Sequence, residues 1–345
     1  MEKSTSIWNR VVYAVNILIA FLLILTGVIS YVPLRFFSAI SVLSLVVPFL
    51  FAVNILFLLY WAARLKRKFL LSFTAVLLGY LMFGPFYGLG NNHVPQKESS
   101  DLKIMSYNVW GFNKNGWMEE PGVGDSIIEF VKKHDPDIFC VQEHNRARYQ
   151  QLRQYPYRSE TPHPNKRATQ AIFSKFPIIS SGSLDLPSTQ NNIIYADILF
   201  RKDTIRVYNL HLQSFKIRPS TDNFSDGEKS ERTYKRLVHT FSKQLEQAEI
   251  FRKHFENSSY TNIVCGDLNN TQFSNIYKIV KGDLQDTFLE KGKGFGRTYD
   301  FWKIPLRIDY ILADPEFEVL SHQNFNERLS DHYPVMATLR FNSHQ

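Results

Sequence analysis

Cysteine is nearly absent from this chain, with two in 345 residues. Cys140 in Ile-Phe-Cys-Val-Gln and Cys265 in Ile-Val-Cys-Gly-Asp lie in apolar runs that read as interior strands, so both read as buried small hydrophobes. That scarcity excludes a disulfide-rich scaffold, and no Cys/His cluster has the spacing of a zinc site. A disulfide between the two stays open at this point, and the count says little about redox compartment. Internal repeats and low-complexity tracts are also missing. A basic excess is missing from most of the chain: eight Lys/Arg stand against two acids before residue 101, so +6 of the net +8 belongs there and +2 to everything after. The basic total therefore does not point to a large nucleic-acid footprint, which draws heavily on Lys and Arg.

What the N-terminal third does have is apolar length. Three stretches follow one another, Val11–Tyr31, Phe36–Ala62 and Phe69–Tyr87. The first two carry no Asp, Glu, Lys or Arg apart from what flanks them and exceed the roughly 18–20 residues that cross a bilayer, whereas the third is shorter and meets Gly84-Pro85. The lack of charge inside them argues against a channel or transporter. A cleaved signal peptide is a poor reading of the first, because no small-residue cleavage pattern separates it from more apolar sequence. With three spans, the N-terminus and the Arg64-Leu-Lys66-Arg67-Lys68 cluster share the cytoplasmic side, and everything after residue 90 lies outside the cytoplasm. That placement depends on the third span. Residues 91–101, within the Gly-, Asn-, Pro- and Ser-rich segment Gly88–Asp101, read as a linker between a membrane anchor (1–90) and a second unit (102–342). The expected localisation is an integral protein of the bacterial plasma membrane.

From Leu102 the pattern alternates. Strands are expected at Lys103–Tyr107, Asp137–Val141, Ala168–Ser174, Asn192–Phe200, Thr204–Leu212, Asn262–Cys265, Arg307–Leu312 and Val335–Arg340. Arg201-Lys202-Asp203 reads as a hairpin turn. An amphipathic helix through Ile127, Ile128 and Val131 must stop before Pro136, and a long helix over Thr233–Phe255 carries Leu237, Phe241, Leu245, Ala248, Phe251 and Phe255 at spacings of three and four. The polar stretch Ser214–Glu231 before it reads as a mobile surface loop. The basic residues in and beside it, Arg218, Lys229, Arg232, Lys235 and Arg236, are interleaved with Asp222, Asp226, Glu228 and Glu231 and read as a solvated face, with binding of head groups or phosphates as the alternative. Hairpins mixed with crossovers indicate α/β layers rather than one parallel sheet.

The chemistry-bearing residues fall at strand ends. They are Asn108 in Met-Ser-Tyr-Asn-Val-Trp, Glu143 in Cys-Val-Gln-Glu-His, His211 in Tyr-Asn-Leu-His-Leu, Asp267 and Asn269 in Cys-Gly-Asp-Leu-Asn, Asp309 in Arg-Ile-Asp-Tyr, and Asp331-His332 in Leu-Ser-Asp-His-Tyr-Pro-Val. Each alone has an ordinary explanation: Gly-Asp-x-Asn is commonly a turn, a Glu after a strand caps or faces water, and a single His is commonly structural. Six such elements after six apolar strands are harder to assign to solvated ends, because strand ends of layered α/β folds converge on one edge.

In this order the motifs resemble the endonuclease/exonuclease/phosphatase superfamily, which includes pancreatic-type deoxyribonucleases, abasic-site endonucleases, bacterial sphingomyelinases and inositol-polyphosphate phosphatases. The resemblance spans about Leu102 to Phe341 and is carried by Gln142-Glu143, Gly266-Asp267-Leu268-Asn269 and Ser330-Asp331-His332-Tyr333-Pro334-Val335. It implies an α/β (α+β) four-layer sandwich, two mixed sheets flanked by helices, here preceded by a bundle of about three transmembrane helices. It also implies Mg2+, with Mn2+ as an alternative, held by Glu143 with Asn108 beside it and Asp331 contributing directly or through water. His332 would pair with Asp309, Asp267 would orient or deprotonate water, and Asn269 would donate to phosphate oxygens. His211 stands where deoxyribonuclease- and sphingomyelinase-like members have histidine and abasic-site enzymes have tyrosine. The expected substrate is a phosphate ester, a phospholipid head group by virtue of the anchor or else a nucleic acid. A catalytically inactive membrane scaffold is the remaining alternative, and protein partners are unknown.

Overall fold

A computed structural model of the chain describes residues 7–32, 38–90, 98, 100–162, 169–216, 227–301 and 304–341. Parts of the expected linker and of the expected 214–231 loop, Arg218 among them, lie outside the described residues.

Each apolar stretch becomes helical, but not as three equal rods. The first forms α1 (Ile7–Ile29). The second is broken into a short helical turn (Ser38–Ser41), a 3-10 segment (Val42–Val46) and α2 (Val47–Ala63), with Pro48 in the first turn of α2, where its missing N–H costs no hydrogen bond. The third, α3 (Phe69–Phe83), ends at Gly84, whose φ of 78° turns the chain out of the helix. Two helical segments, Ile7–Ile29 and Ala39–Ala63, are long and apolar enough to cross a membrane. At 15 residues α3 falls short of that length, so three spans are not shown.

The rest forms two six-stranded mixed sheets. In chain order the strands are β1 (Asp101–Asn108), β2 (Ile138–Gln142), β3 (Tyr157–Glu160), β4 (Gln170–Ser174), β5 (Ile178–Ser183), β6 (Asn192–Phe200), β7 (Asp203–His211), β8 (Thr261–Asp267), β9 (Gln285–Asp286), β10 (Asp309–Ala313), β11 (Phe317–Asn324) and β12 (Val335–Phe341). One sheet has the order β11-β12-β1-β2-β4-β3 and the other β9-β10-β8-β7-β6-β5, with β1–β2 and β7–β8 the parallel pairs. The expected turn at 201–203 does join β6 to β7, with Arg201 in the left-handed region.

Two-residue periodicity builds the interior. Ile104, Ile138, Cys140, Ile205, Val207, Ile263, Cys265, Ile311 and Ala337 point into the space between the sheets. Intervening residues point outward. Met105, Tyr107, Phe139 and Val141 pack under α4 (Val123–His134), and Tyr208, Leu210 and Val264 pack under α5 (Gly227–Glu256) through Phe241, Ala248 and Phe251. Each buried Ile, Val or Phe contributes about 1.5–3 kcal/mol by leaving water. The result is the four-layer arrangement of two mixed sheets flanked by helices. The long helix starts at Gly227 rather than Thr233, so the last part of the expected loop is helical. Both cysteines are buried free thiols.

The apolar helices touch this sandwich at one end. Phe273 stacks on Phe86 with ring centroids 4.8 Å apart and meets Phe83 edge-on. Gln272 Nε2 donates to the carbonyls of Phe83 and Pro85, both at 3.2 Å, and Lys278 Nζ donates to Met82 O at 2.8 Å. At the opposite end, Arg64 donates to Asn9 Oδ1 at 2.6 Å, and Lys68 Nζ lies 4.2 Å from the Tyr13 ring centroid.

Candidate active site

The alternation that makes the inter-sheet core also makes the site. On β1 the inward positions run Ile104, Ser106, Asn108; on β2, Ile138, Cys140, Gln142; on β7, Ile205, Val207, Asn209, His211; on β8, Ile263, Cys265, Asp267. All four strands turn from apolar to polar toward their C-terminal ends. Antiparallel to β8, β10 begins with Asp309, placed opposite Asp267. Behind these groups a buried amide layer joins the sheets: Gln142 Nε2 donates to Asn209 Oδ1 at 2.7 Å, and Asn209 Nδ2 donates to the carbonyls of Val141 and Ala171, both at 3.0 Å. Gly266, at φ 135°, lets β8 lie against β7, since a Cβ there would sit 2.0 Å from Leu210 O.

All eight residues singled out in the sequence reach this edge. Asn108 Nδ2 bridges the sheets, 3.2 Å from Asp267 Oδ2 and 3.4 Å from Glu143 Oε1. His211 Nε2 is 3.8 Å from both Glu143 and Asp267. His332 Nδ1 lies 2.9 Å from Asp309 Oδ2, and its Nε2 faces Asp267 at 3.7 Å. Asp331 accepts from Ser330 Oγ at 3.2 Å, and that hydroxyl also donates to Asn108 O at 2.9 Å. Asn269 is turned inward. Its amide donates to Leu212 O at 3.0 Å and Asp267 Oδ2 at 3.1 Å, so both hydrogens are engaged and donation to a phosphate requires one to be released.

Charge is crowded here. Burial, with Asp309 adding to it, pushes the Asp267 carboxyl up to about 8 against the opposing pull of His332, Asn269 and Asn108. Burial and the nearby Glu143 also raise Asp331. Burial alone would depress His332, but Asp309 and Asp267 outweigh it and hold the imidazole well above its ordinary value. His211 is depressed by burial, and its Nδ1 has no hydrogen-bond partner among the described residues. Four carboxylates with two imidazoles and a carboxamide form a hard oxygen-rich donor set that suits a divalent cation. Glu143 sits at φ 51°, an unusual conformation for a non-glycine residue, and keeps about a third of its side chain exposed, facing a cavity of about 800 Å³. The most compact group of ligand atoms among the described residues is a different one: Asp267, Asp309 and His332, all within 4.8 Å of one another.

Several supports were not legible in the sequence. Thr298 Oγ1 accepts from the backbone N–H of both Ile308 and Asp309 and fixes the start of β10. Tyr299 bridges to His332, with ring centroids 4.8 Å apart. After Asn108 the chain runs through four successive left-handed residues, Trp110, Gly111, Phe112 and Asn113. Only glycine announces such a conformation in sequence.

Compared with known proteins, residues 105–332 match the family described as the endonuclease/exonuclease/phosphatase family, and residues 9–86 match a domain of unknown function. No curated protein matches the chain. Among solved structures, an endonuclease/exonuclease/phosphatase family protein from Bacteroides thetaiotaomicron is 20% identical over 72% of this chain and 100% of its own, with a TM-score of 0.51. Humanized D. rerio TDP2 is 19% identical over 70% and 99%, with a TM-score of 0.52. The catalytic domain of human Nocturnin with bound sulfate is 16% identical over 70% and 95%, with a TM-score of 0.51.

Proposed function

The chain belongs to the endonuclease/exonuclease/phosphatase family, and from that premise we propose that it is a membrane-anchored, divalent-metal-dependent hydrolase of phosphate esters. The observation that carries the proposal is convergence: side chains as distant in sequence as Asn108 and His332 meet at one sheet edge around a shared carboxylate, Asp267. Residues 1–90 act as the anchor, 91–101 as a linker and 102–342 as the catalytic unit. An extracytoplasmic catalytic unit requires α3 to run back across the bilayer after the basic cluster, and the position of Arg64 and Lys68 at the end of the helices away from the sandwich supports that reading. Protection of that unit from protease added to sealed cells would overturn the placement.

Glu143, Asn108 and Asp331 would hold Mg2+ or Mn2+, which when bound neutralises charge on the phosphoryl oxygens. Asp267 in its carboxylate form, made more basic by burial, takes the proton of the attacking water as the water oxygen bonds to phosphorus. His332, kept protonated and oriented by Asp309, donates to a phosphoryl or leaving-group oxygen as the ester bond breaks. Asn269 holds Asp267 in place. His211 lines the site beside Glu143.

The anchor favours substrates at a bilayer, such as phospholipid head groups. A second reading, a nucleic-acid phosphodiester, is favoured by the cations Lys114, Arg146 and Lys216 around the cavity. The test is turnover by the full chain in detergent, with Mg2+ or Mn2+, on phospholipid, DNA, RNA and inositol phosphate in parallel. Metal-dependent hydrolysis that disappears in His332→Ala is expected; retained hydrolysis in that variant, or none with any substrate, contradicts the proposal.

A further inference from the structure

The cavity in front of Glu143 is far larger than a phosphate group needs, and its otherwise polar lining includes one indole, Trp117. Trp117 lines it and remains 40% exposed, with its indole stacked on Trp110 at a centroid distance of 4.5 Å and an interplanar angle of 20°. One face of the pair is thereby spent on the partner ring, and Trp117 presents the surface. What sets Trp117 apart from other exposed apolar residues such as Ile179 is its place in the wall of the cavity that Glu143 faces.

The loop that presents this ring is tied to the site. Trp110, Gly111, Phe112 and Asn113 all have φ between 45° and 65°, a run that needs external support. Trp110 N–H donates to Asn108 Oδ1 at 3.2 Å and Gly111 N–H to the Glu143 main-chain carbonyl at 2.9 Å, so the loop hangs from the side chain of one residue assigned to the metal and the backbone of another. Phe112 is buried edge-on against His144, and the Asn113 side chain bonds both the N–H and the carbonyl of Met118, at 2.9 Å each, closing the loop under Trp117.

Resting on the hydrolase reading, we propose that Trp117 is a stacking platform for a planar base joined to the phosphate under attack, so that the substrate is a nucleobase-bearing phosphate ester. Three features of the same cavity agree. The exposed carboxamide of Asn115 carries both donors and an acceptor for a base edge, Asn145 keeps its Nδ2 donors while its Oδ1 takes the Ala147 N–H, and Lys114 and Lys216 bring charge for flanking phosphates. Stacking on an aromatic face tolerates any base and does not need the broad basic surface that the near-neutral catalytic unit lacks. A phospholipid head group has no flat face to set against the ring.

Two measurements on the full chain in detergent test this. In the first, metal-free protein is dialysed against adenosine monophosphate or ribose 5-phosphate; the base-bearing probe is expected to bind roughly tenfold more tightly, with the difference lost in Trp117→Ala and kept in Trp117→Phe. In the second, with Mg2+, a short single strand is compared with the same backbone lacking bases, and a dinucleotide separates free nucleotide esters from polymer. The ratio of kcat/KM is expected to favour bases, and Trp117→Ala to reduce that ratio roughly tenfold through KM. Equal binding of the two probes, a preference that survives Trp117→Ala, or faster turnover of phospholipid in mixed micelles than of the base-bearing strand overturns the platform. Absence of all hydrolysis would instead defeat the hydrolase reading, with the dialysis result still deciding the platform.

Discussion

Polar groups are buried in both halves of this molecule, and the two halves treat them differently. Between the apolar helices Asn16 donates to Ser72 Oγ at 2.7 Å and accepts from Trp61 Nε1 at 3.1 Å, while Asn54 donates to Leu50 O and Ile19 O. These groups are uncharged and fix how the helices pack. At the sandwich edge Asp267, Asp309 and His332 are buried together; burial raises the Asp267 carboxyl, and the two carboxylates beside the His332 imidazole outweigh its own burial and raise it as well. A stability-driven design would use the first arrangement, so the second marks where function overrides stability.

The largest expected effects come from breaking the charged half. Asp267→Asn and His332→Ala should each lower kcat by about 10³-fold or more while the protein stays folded, and Asp267→Asn should not lower the thermal midpoint near neutral pH, because a neutral carboxamide replaces a carboxyl that already favours its neutral form. Turnover assays paired with thermal unfolding in detergent check both. Next, Glu143→Gln should weaken Mn2+ binding at least about tenfold, read by calorimetry, with Asp309→Asn affecting affinity less. The reverse order would move the ion to the Asp267–Asp309–His332 group.

A smaller effect concerns pH. The folded Asp267 holds its proton more tightly than an unfolded Asp does, so its contribution to stability is fullest at low pH and is lost as pH rises from the ordinary carboxylate range toward about 8. The raised His332 acts in the same direction at higher pH. Metal-free protein should therefore unfold at lower temperature as pH rises through this window, and Asp267→Asn should flatten the trend. Smallest of all, Asn16→Ala in the helices should cost about 1 kcal/mol in unfolding free energy and leave kcat unchanged. A large loss of kcat there would erase the contrast between the halves.

Much of the fold follows directly from sequence periodicity. Ile-Val-Cys-Gly-Asp shows an inward apolar series ending in a carboxylate, and Phe241, Ala248 and Phe251 repeat at helical spacing. Strands with little apolar content were missed. Ile178–Ser183 is an edge strand exposed along half its length, and Tyr157–Glu160 is a four-residue edge whose stability comes from β4 rather than from its own residues. Arg307, expected in a strand, lies before β10 because its guanidinium is turned to Asp286, 2.7 Å away inside the protein. The 15-residue length of α3 shows how an apolar run overstates a span. Within the site, the convergence of residues from Asn108 to His332, Ser330 with its motif, was legible from their places at strand ends, whereas Thr298 and the Trp110–Asn113 backbone serve through geometry that other residue types also adopt elsewhere.

The central claim is that one cation site draws on residues from Asn108 to Asp331. Anomalous diffraction from crystals of the full chain soaked in Mn2+ tests it most directly. A single strong peak beside the Glu143 carboxylate and the Asn108 amide is expected; a peak confined to Asp267, Asp309 and His332, or none near either group, would contradict it.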